Sequence, residues 1–221
     1  MSAIRLGTRA STLATTQSEM VAGLLRSEGL DVNLTTITTH GDTSTASLAA
    51  MGGIGVFASA IRAALLEGEA DIAVHSFKDL PTGRPLGLAI GAVPARADPR
   101  DALVARDGLT LHDLPQEASV GTGSPRRAAQ LLAVRPDLTI VDIRGNVDTR
   151  LGRVKGLGRY AKNGGKEDLD AVVLAASGLA RLGHSGAVTE FLDPSVVLPA
   201  PAQGALAVEC RTADSRHGKL A

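Results

Sequence analysis

Aromatic residues are nearly missing from this sequence: one tyrosine, three phenylalanines and no tryptophan stand among 221 residues. The core must therefore be built from Ala, Val, Leu and Ile, and stacking platforms for nucleic-acid bases are not available. A single cysteine, Cys210, excludes an intrachain disulfide and any cysteine-rich metal site. Charge of one sign is also lacking, since Lys plus Arg and Asp plus Glu both total 23. No overall field recruits a polyanion, and nucleic acid is not an expected partner. Apolar runs are short, and MSAIRLGTRAST passes directly into strand-like sequence without a leader core. A cytoplasmic protein with no membrane partner is expected. The histidines at 40, 75, 112, 184 and 217 lack metal-ligand spacing, so no metal is expected. Neither a G-x-S-x-G elbow nor a Walker motif occurs.

What is present alternates. IRLGT reads as a strand, followed by a helix from about Ser11 to Glu28 and the strand DVNLTTITT. A Gly/Thr/Ser-rich loop (His40 to Gly55) leads to a helix near Val56 to Glu67, then the strands DIAVHS and LGLAIGAVP. A second series contains DALVA, ASVGT, a helix after Pro125, LTIVDI, a helix from Asn146, DAVVLAA and a helix at Gly178 to Leu182, and VVLPA and ALAVEC close it. Apolar strands separated by helices predict an α/β protein with mixed, mainly parallel sheets. Pro-rich shifts at VPARADPRDA and LDPSVVLPAPAQGA mark two domain crossings. They predict two lobes around a central cleft, residues 1–95 plus 198–221 forming one and 96–197 the other. No internal repeat is evident in the sequence. GRVKGLGRYAKNGGKED (152 to 168), rich in Gly and Lys without an apolar period, reads as a mobile surface loop.

Ligands of α/β sheets collect beyond the C-terminal ends of strands. There this chain puts Arg9 and Ser11, then His75, Ser76, Lys78 and Asp79, then Ser124, Arg126 and Arg127, then Arg144, Asn146 and Arg150, and finally Arg181. Each arginine alone fits a surface ion pair, but their repetition at strand-end turns points to a ligand with several anionic groups. Arg126 and Arg127 open a helix capped by Ser124 and started by Pro125. A helix N-terminus already carries partial positive charge, so either an anion sits there or the arginines lie back into solvent. In HSFKD, a carboxylate flanked by a lysine could hold a cation while staying ionised, or the stretch is an ordinary turn ahead of Pro81. Gly53, Gly55 and Ala58 satisfy a dinucleotide pattern without its preceding strand, so no nucleotide cofactor is expected. Cys210, inside apolar ALAVEC, reads as a buried structural thiol.

LGTRAS, AVHSFKDLP, DPRDALV, VGTGSPRRAAQL, IRGNVDTRL, GLARLG and LPAPAQGALAVECR, in this order, closely resemble the hydroxymethylbilane synthase (porphobilinogen deaminase) family over essentially the whole chain. The resemblance implies two domains like those of type II periplasmic binding proteins. It also implies a monomeric transferase of tetrapyrrole synthesis that condenses four porphobilinogens, with loss of ammonia, into linear hydroxymethylbilane. A covalent dipyrromethane cofactor primes the family's reaction from a cysteine in a third domain. That domain is expected to be missing from this sequence, and Cys210 does not match its cysteine.

By the resemblance, Asp79 is the catalytic aspartate, with Lys78 beside it. Arg9, Ser11, Lys78, Ser124, Arg126, Arg127, Arg144, Asn146 and Arg150 fall at cofactor-binding positions. Arg9, Gln17, Phe57, Arg144, Arg150, Arg181 and Gln203 fall at substrate-binding positions. The chain departs from the family at Ala50 and Ile54, where many members carry lysines. It departs again in GTGS, which lacks one hydroxyl of the commoner GTSS, and in an apparent insertion near residues 155 to 166. The alternative reading is a two-domain module that binds polypyrrole carboxylates without turnover. An extracytoplasmic anion receptor is disfavoured by the absence of a leader.

Overall fold

The computed structural model describes residues 2–37, 56–83 and 85–212, with only the backbone of Val56 and Phe57. Expectations for the glycine-rich loop, including Gly53, Gly55, Ala50 and Ile54, lie outside the described residues. So does the Phe57 side chain.

The first elements in chain order are β1 (Ile4–Thr8), α1 (Thr12–Ser27), β2 (Val32–Thr36), α2 (Val56–Leu66), β3 (Ile72–Ser76) and β4 (Leu88–Ala92). Then come β5 (Asp101–Ala105), β6 (Ser119–Gly121), α3 (Pro125–Val134), β7 (Thr139–Val141) and α4 (Val147–Leu151). β8 (Ala171–Ala175), α5 (Ala176–Arg181), β9 (Glu190–Phe191) and β10 (Leu206–Arg211) complete the set. Two compact units result, one grouping Met1–Ala97 with Ala205–Ala221 and the other holding Asp98–Gly204.

The first unit is a five-stranded sheet in the order β2-β1-β3-β10-β4. β1 pairs in parallel with β2 and β3, while β10 runs antiparallel to β3 and β4. Strand alternation assigns the two faces. Leu6, Ile72, Val74, Leu206, Val208 and Cys210 form one, covered by Val21 and Ala22 of α1. Helix α1 starts where Ser11 accepts a hydrogen bond from the Ala14 N–H at 3.4 Å, and it buries Gln17, Ser18, Val21 and Ala22 at helical spacing. Ala73 lies on the opposite face with Leu88, under Ile61 and Leu65 of α2.

The second unit repeats the plan, with order β7-β6-β8-β5-β9. β6 pairs in parallel with β7 and β8, and β5 runs antiparallel to β8 and β9. Leu103, Ala105, Val120, Ala171 and Val173 pack with Leu131 of α3 on one face. Ala102, Val104, Val172 and Leu174 pack with Leu151 and Leu179 on the other. A sheet covered on both faces needs near-continuous apolar strands, as DALVA and AVVLA are. The correspondence between units is topological; different side chains fill each sheet, so the sequence carries no trace of it.

Several expectations shift. VVLPA is irregular chain leaving a turn rather than a strand, as Val197 plugs the core while the Leu198 carbonyl accepts from Gln130 at 3.2 Å. The edge strands are shorter than their apolar runs, and α4 spans five residues. The segment 152–168 is tied down at both ends. Val154 bridges Leu169, Arg153 grips Asp168, the Glu167 carboxylate accepts from Gly158 N–H at 3.0 Å, and Lys155 reaches Asp170 at 2.8 Å. Its glycines serve close turns and Lys155 an ion pair, which a search for apolar period cannot register.

Candidate active site

In the first unit a pocket opens beyond the ends of β1 and β3, lined by Arg9, Gln17, His75, Ser76 and Asp79 with Ile61 at its apolar wall. Asp79 ends a short 3-10 turn, Phe77–Asp79, that follows β3 directly. The turn is pinned at both ends. Phe77 N–H donates to the Ala205 carbonyl at 3.1 Å, and Leu80, whose N–H bonds Phe77 O at 3.1 Å, buries its side chain. Below it, Ser76 Oγ donates to Gln17 Oε1 at 3.1 Å, and Gln17 is buried in α1. The Asp79 carboxylate is thus presented by a fixed turn. Its side chain is open to the concave pocket while protein crowds it from several sides. That desolvation raises the carboxyl above its ordinary range, and Lys78, Arg9 and His75, which lower it, do not fully offset the rise.

In the second unit the start of α3 is anchored from within. Ser124 caps the helix by accepting from Arg127 N–H, and Pro125 occupies the first turn. Arg127, 6% exposed, donates from Nη2 to Asp101 Oδ1 at 2.6 Å, from Nε to the same oxygen at 3.0 Å, and from Nη1 to the Val173 carbonyl at 3.1 Å. Arg126 Nη2 meets Asp101 Oδ2 at 2.7 Å, and its Nη1 donates to the Leu198 carbonyl. The negative charge wanted at this helix start is therefore the wholly buried Asp101 carboxylate. Gln203 completes the knot. Its Nε2 donates to Asp101 Oδ1 and the Pro99 carbonyl, each at 2.8 Å, while its Oε1 accepts from Arg127 Nη2 at 3.5 Å.

A different set of guanidinium groups stays open. Arg144 follows β7, and Gly145 after it takes φ 104, where an added Cβ would meet Thr149 at 3.0 Å. The tight turn sets Asn146 to cap α4, its Oδ1 accepting from Thr149 N–H at 2.8 Å. Arg150, one turn on, donates from Nε to Gly145 O at 2.8 Å. Burial and the like charges of Arg127 and Arg144 lower its guanidinium below its ordinary range, with Asp142 the opposing charge. Arg144 Nη1 is buried with no hydrogen-bond partner among the described residues. Arg181 ends α5, with Nη2 on the Gly204 carbonyl at 2.7 Å and Nε buried and unpartnered. Buried unpartnered guanidinium nitrogens are costly and suit an anionic ligand.

The sequence-expected residues thus divide by occupation. Arg9, Gln17 and Asp79 line the first unit's pocket, with Lys78 beside Asp79, while Arg144, Arg150 and Arg181 hold open cationic groups in the second unit. Ser11, Ser124 and Asn146 act as helix caps, and Arg126, Arg127 and Gln203 are held by Asp101. The serine-to-glycine departure at Gly123 also has a local reason, since a Cβ there would approach Ile143 O to 2.6 Å.

A family model described as "Porphobilinogen deaminase, dipyromethane cofactor binding domain" matches residues 4–219. The chain belongs to the porphobilinogen deaminase family. It is 59% identical to a porphobilinogen deaminase of Micrococcus luteus over 221 residues, covering 97% of this chain and 59% of that protein. A second porphobilinogen deaminase, of Leifsonia xyli subsp. xyli, is 59% identical over 215 residues, covering 97% and 62%. The chain therefore spans about three-fifths of the length of these curated relatives. Among solved structures it is similar in fold to a nutrient binding protein of Burkholderia cenocepacia bound to methionine, with TM-score 0.55 and 15% identity, covering 98% of this chain and 89% of that one. An ABC-transporter periplasmic substrate-binding protein of Coxiella burnetii gives TM-score 0.53 and 18% identity, covering 98% and 89%. The chain shares the fold of these periplasmic binding proteins, as the family resemblance implied.

Asp101, Glu209 and Arg62 were not singled out in the sequence, although two of them leave a signal. A lone carboxylate at the start of DALVA and another inside ALAVEC interrupt buried apolar runs, and each is wholly or almost wholly buried against arginine.

Proposed function

We propose that this chain supplies the first two domains of a hydroxymethylbilane synthase, joining porphobilinogen units head to tail with loss of ammonia. The observation that carries the reading is Asp79 on its pinned turn, in a pocket with Arg9 and His75 and beside Lys78. When the protonated amine of porphobilinogen leaves, its pyrrole becomes a cationic azafulvene. A carboxylate held at the pyrrole N–H stabilises that charge as it develops, and a fixed carboxylate needs no reorganisation at that moment. Desolvation raises the Asp79 pKa, and Lys78 and Arg9 oppose that rise and so favour the carboxylate form.

Acetate and propionate groups of the pyrroles are assigned to Arg9 in the first unit and to Arg144, Arg150 and Arg181 in the second. The buried, unpartnered Nη1 of Arg144 and Nε of Arg181 fit a polycarboxylate such as dipyrromethane. When bound, that cofactor supplies the pyrrole carbon to which the first substrate is joined. Cys210 is 6% exposed in β10, which disfavours it as the attachment point. Arg126, Arg127, Ser124 and Gln203 shape the site through Asp101 and the α3 cap. The division into 1–95 plus 198–221 and 96–197 is supported by two compact units, Met1–Ala97 with Ala205–Ala221 and Asp98–Gly204. A cytoplasmic monomer is the expected setting, and no helix among the described residues is long and apolar enough to cross a membrane.

The test is an intact-mass measurement on the purified chain, paired with porphobilinogen turnover. A dipyrromethane adduct or consumption of porphobilinogen supports the enzyme. An unmodified mass without turnover, together with calorimetric binding of a dipyrrole polycarboxylate, establishes the second reading, a binding module without turnover.

A further inference from the structure

A buried ionic trio stands behind the Asp79 pocket. Ala207 of β10 lies opposite His75 of β3, and Glu209 lies opposite Ala73, so His75 and Glu209 are diagonal neighbours on one face. Helix α2 covers that face, and the small Ala73 and Ala207 leave room for polar side chains. Glu209, 1% exposed, accepts from Arg62 Nε at 3.0 Å and faces Arg62 Nη2 at 2.9 Å. His75 Nε2 lies 3.2 Å from the other carboxylate oxygen, off the line of an ideal hydrogen bond, and the ring is 7% exposed. Three apolar side chains would fill this space without the cost of desolvating charge. Of the three, His75 also lines the pocket.

We propose that His75 is a positioning residue for Asp79: Glu209, fixed by Arg62, holds the imidazole in its Nε2-protonated form and confines proton exchange to Nδ1. A carboxylate oxygen 3.2 Å from Nε2 favours the proton on that nitrogen, which leaves Nδ1 as the other site. Asp79 then has beside it a ring held in one tautomer. The charged groups around that ring are Glu209 from β10, Arg62 from α2, Asp79 and Lys78 from the turn after β3, and Arg9 after β1. Gln17 of α1 adds only a neutral amide. The assignment rests on Asp79 being the carboxylate that meets the pyrrole cation, and its test needs no turnover.

The chain is labelled with 15N-histidine, and long-range proton–nitrogen spectra are followed across pH, with H75Q identifying the signals. The expected result is a His75 Nε2 that stays protonated throughout while only Nδ1 moves, and in E209Q a ring that exchanges between both neutral forms. A second arm follows the Asp79 carboxyl carbon in wild type and H75Q, where loss of the imidazole moves its titration to higher pH. This arm keeps the proposal testable if E209Q fails to fold. A neutral His75 protonated at Nδ1, an E209Q ring unchanged from wild type, or an Asp79 titration indifferent to H75Q overturns the proposal. Loss of condensation with these spectra intact would remove the proposed function alone; indifferent spectra in an active enzyme would remove only the role of His75.

Discussion

Arg127 and Asp101 form a buried ion pair at the start of α3, with Nη2 and Nε both on Oδ1 at 2.6 and 3.0 Å. Burial works to raise the Asp101 carboxyl, but the Arg127 charge and the hydrogen bonds from Arg127, Arg126 and Gln203 outweigh it and hold the carboxyl low. Asp101→Asn strands the Arg127 guanidinium and is expected to cost about 3–5 kcal/mol of stability. The wild-type contribution is present above the ordinary carboxylate range, because the folded pKa lies below the unfolded one, and it fades as pH falls through the folded value. Denaturant midpoints of both proteins, measured between pH 7 and pH 3, should converge on acidification; parallel curves would remove the pair from the stability of this unit.

Asp79 carries the opposite sign. Desolvation raises its pKa in the fold, so ionising it opposes folding, and stability falls as pH rises from the ordinary carboxylate range through the raised value. Asp79→Asn is therefore expected to leave the melting temperature at pH 7 unchanged or higher. Condensation by an active protein of full family length should drop by about 10²–10³-fold or more. An Asn variant that melts lower and still turns over would contradict both halves of the assignment.

Arg150 sits beside Arg127 and Arg144, with a lowered guanidinium pKa caused first by burial and then by those like charges. Its replacement by Gln relieves repulsion in the free chain, while a polycarboxylate loses a charge-assisted pair worth about 1.5–3 kcal/mol. Isothermal calorimetry with a dipyrrole tetracarboxylate should thus show a loss of about 10- to 150-fold in affinity without loss of thermal stability. Equal affinity in both proteins would return Arg150 to a purely structural role.

Cys210 lies under Gly91, where an added Cβ would stand 3.1 Å from its sulfur. A thiol buried in a sheet centre is slow to react. Ellman's reagent is expected to modify it only on unfolding, so its labelling rate should follow denaturant concentration. Rapid labelling of the native chain would place that sulfur at the surface.

Much of this molecule was legible in its sequence because its signals are local. Ser11, Ser124 and Asn146 announce helix starts by residue type, and the apolar runs DALVA and AVVLA announce doubly covered strands. Placement of Arg9 and Asp79 after strand ends put them near one pocket. Partnership was not legible. SPRR discloses two arginines at a helix start, but nothing local says that Asp101, 26 residues earlier, supplies their anion. Glu209 and Arg62 are separated by 147 residues and meet only because β10 returns beneath α2. Likewise the shared plan of the two sheets is written in hydrogen-bond order rather than in matching residues.

The position of β10 also sets an order of assembly. It lies between β3 and β4, pairing with both, yet the chain passes from Ala92 through the whole of the second unit before reaching Leu206. During vectorial synthesis the second unit is contiguous and can close as soon as it emerges, whereas the first holds β3 and β4 with unpaired edges until β10 arrives. The part of the protein made first is thus the last to be finished. Its exposed strands wait on the ribosome for a partner encoded at the far end of the fold.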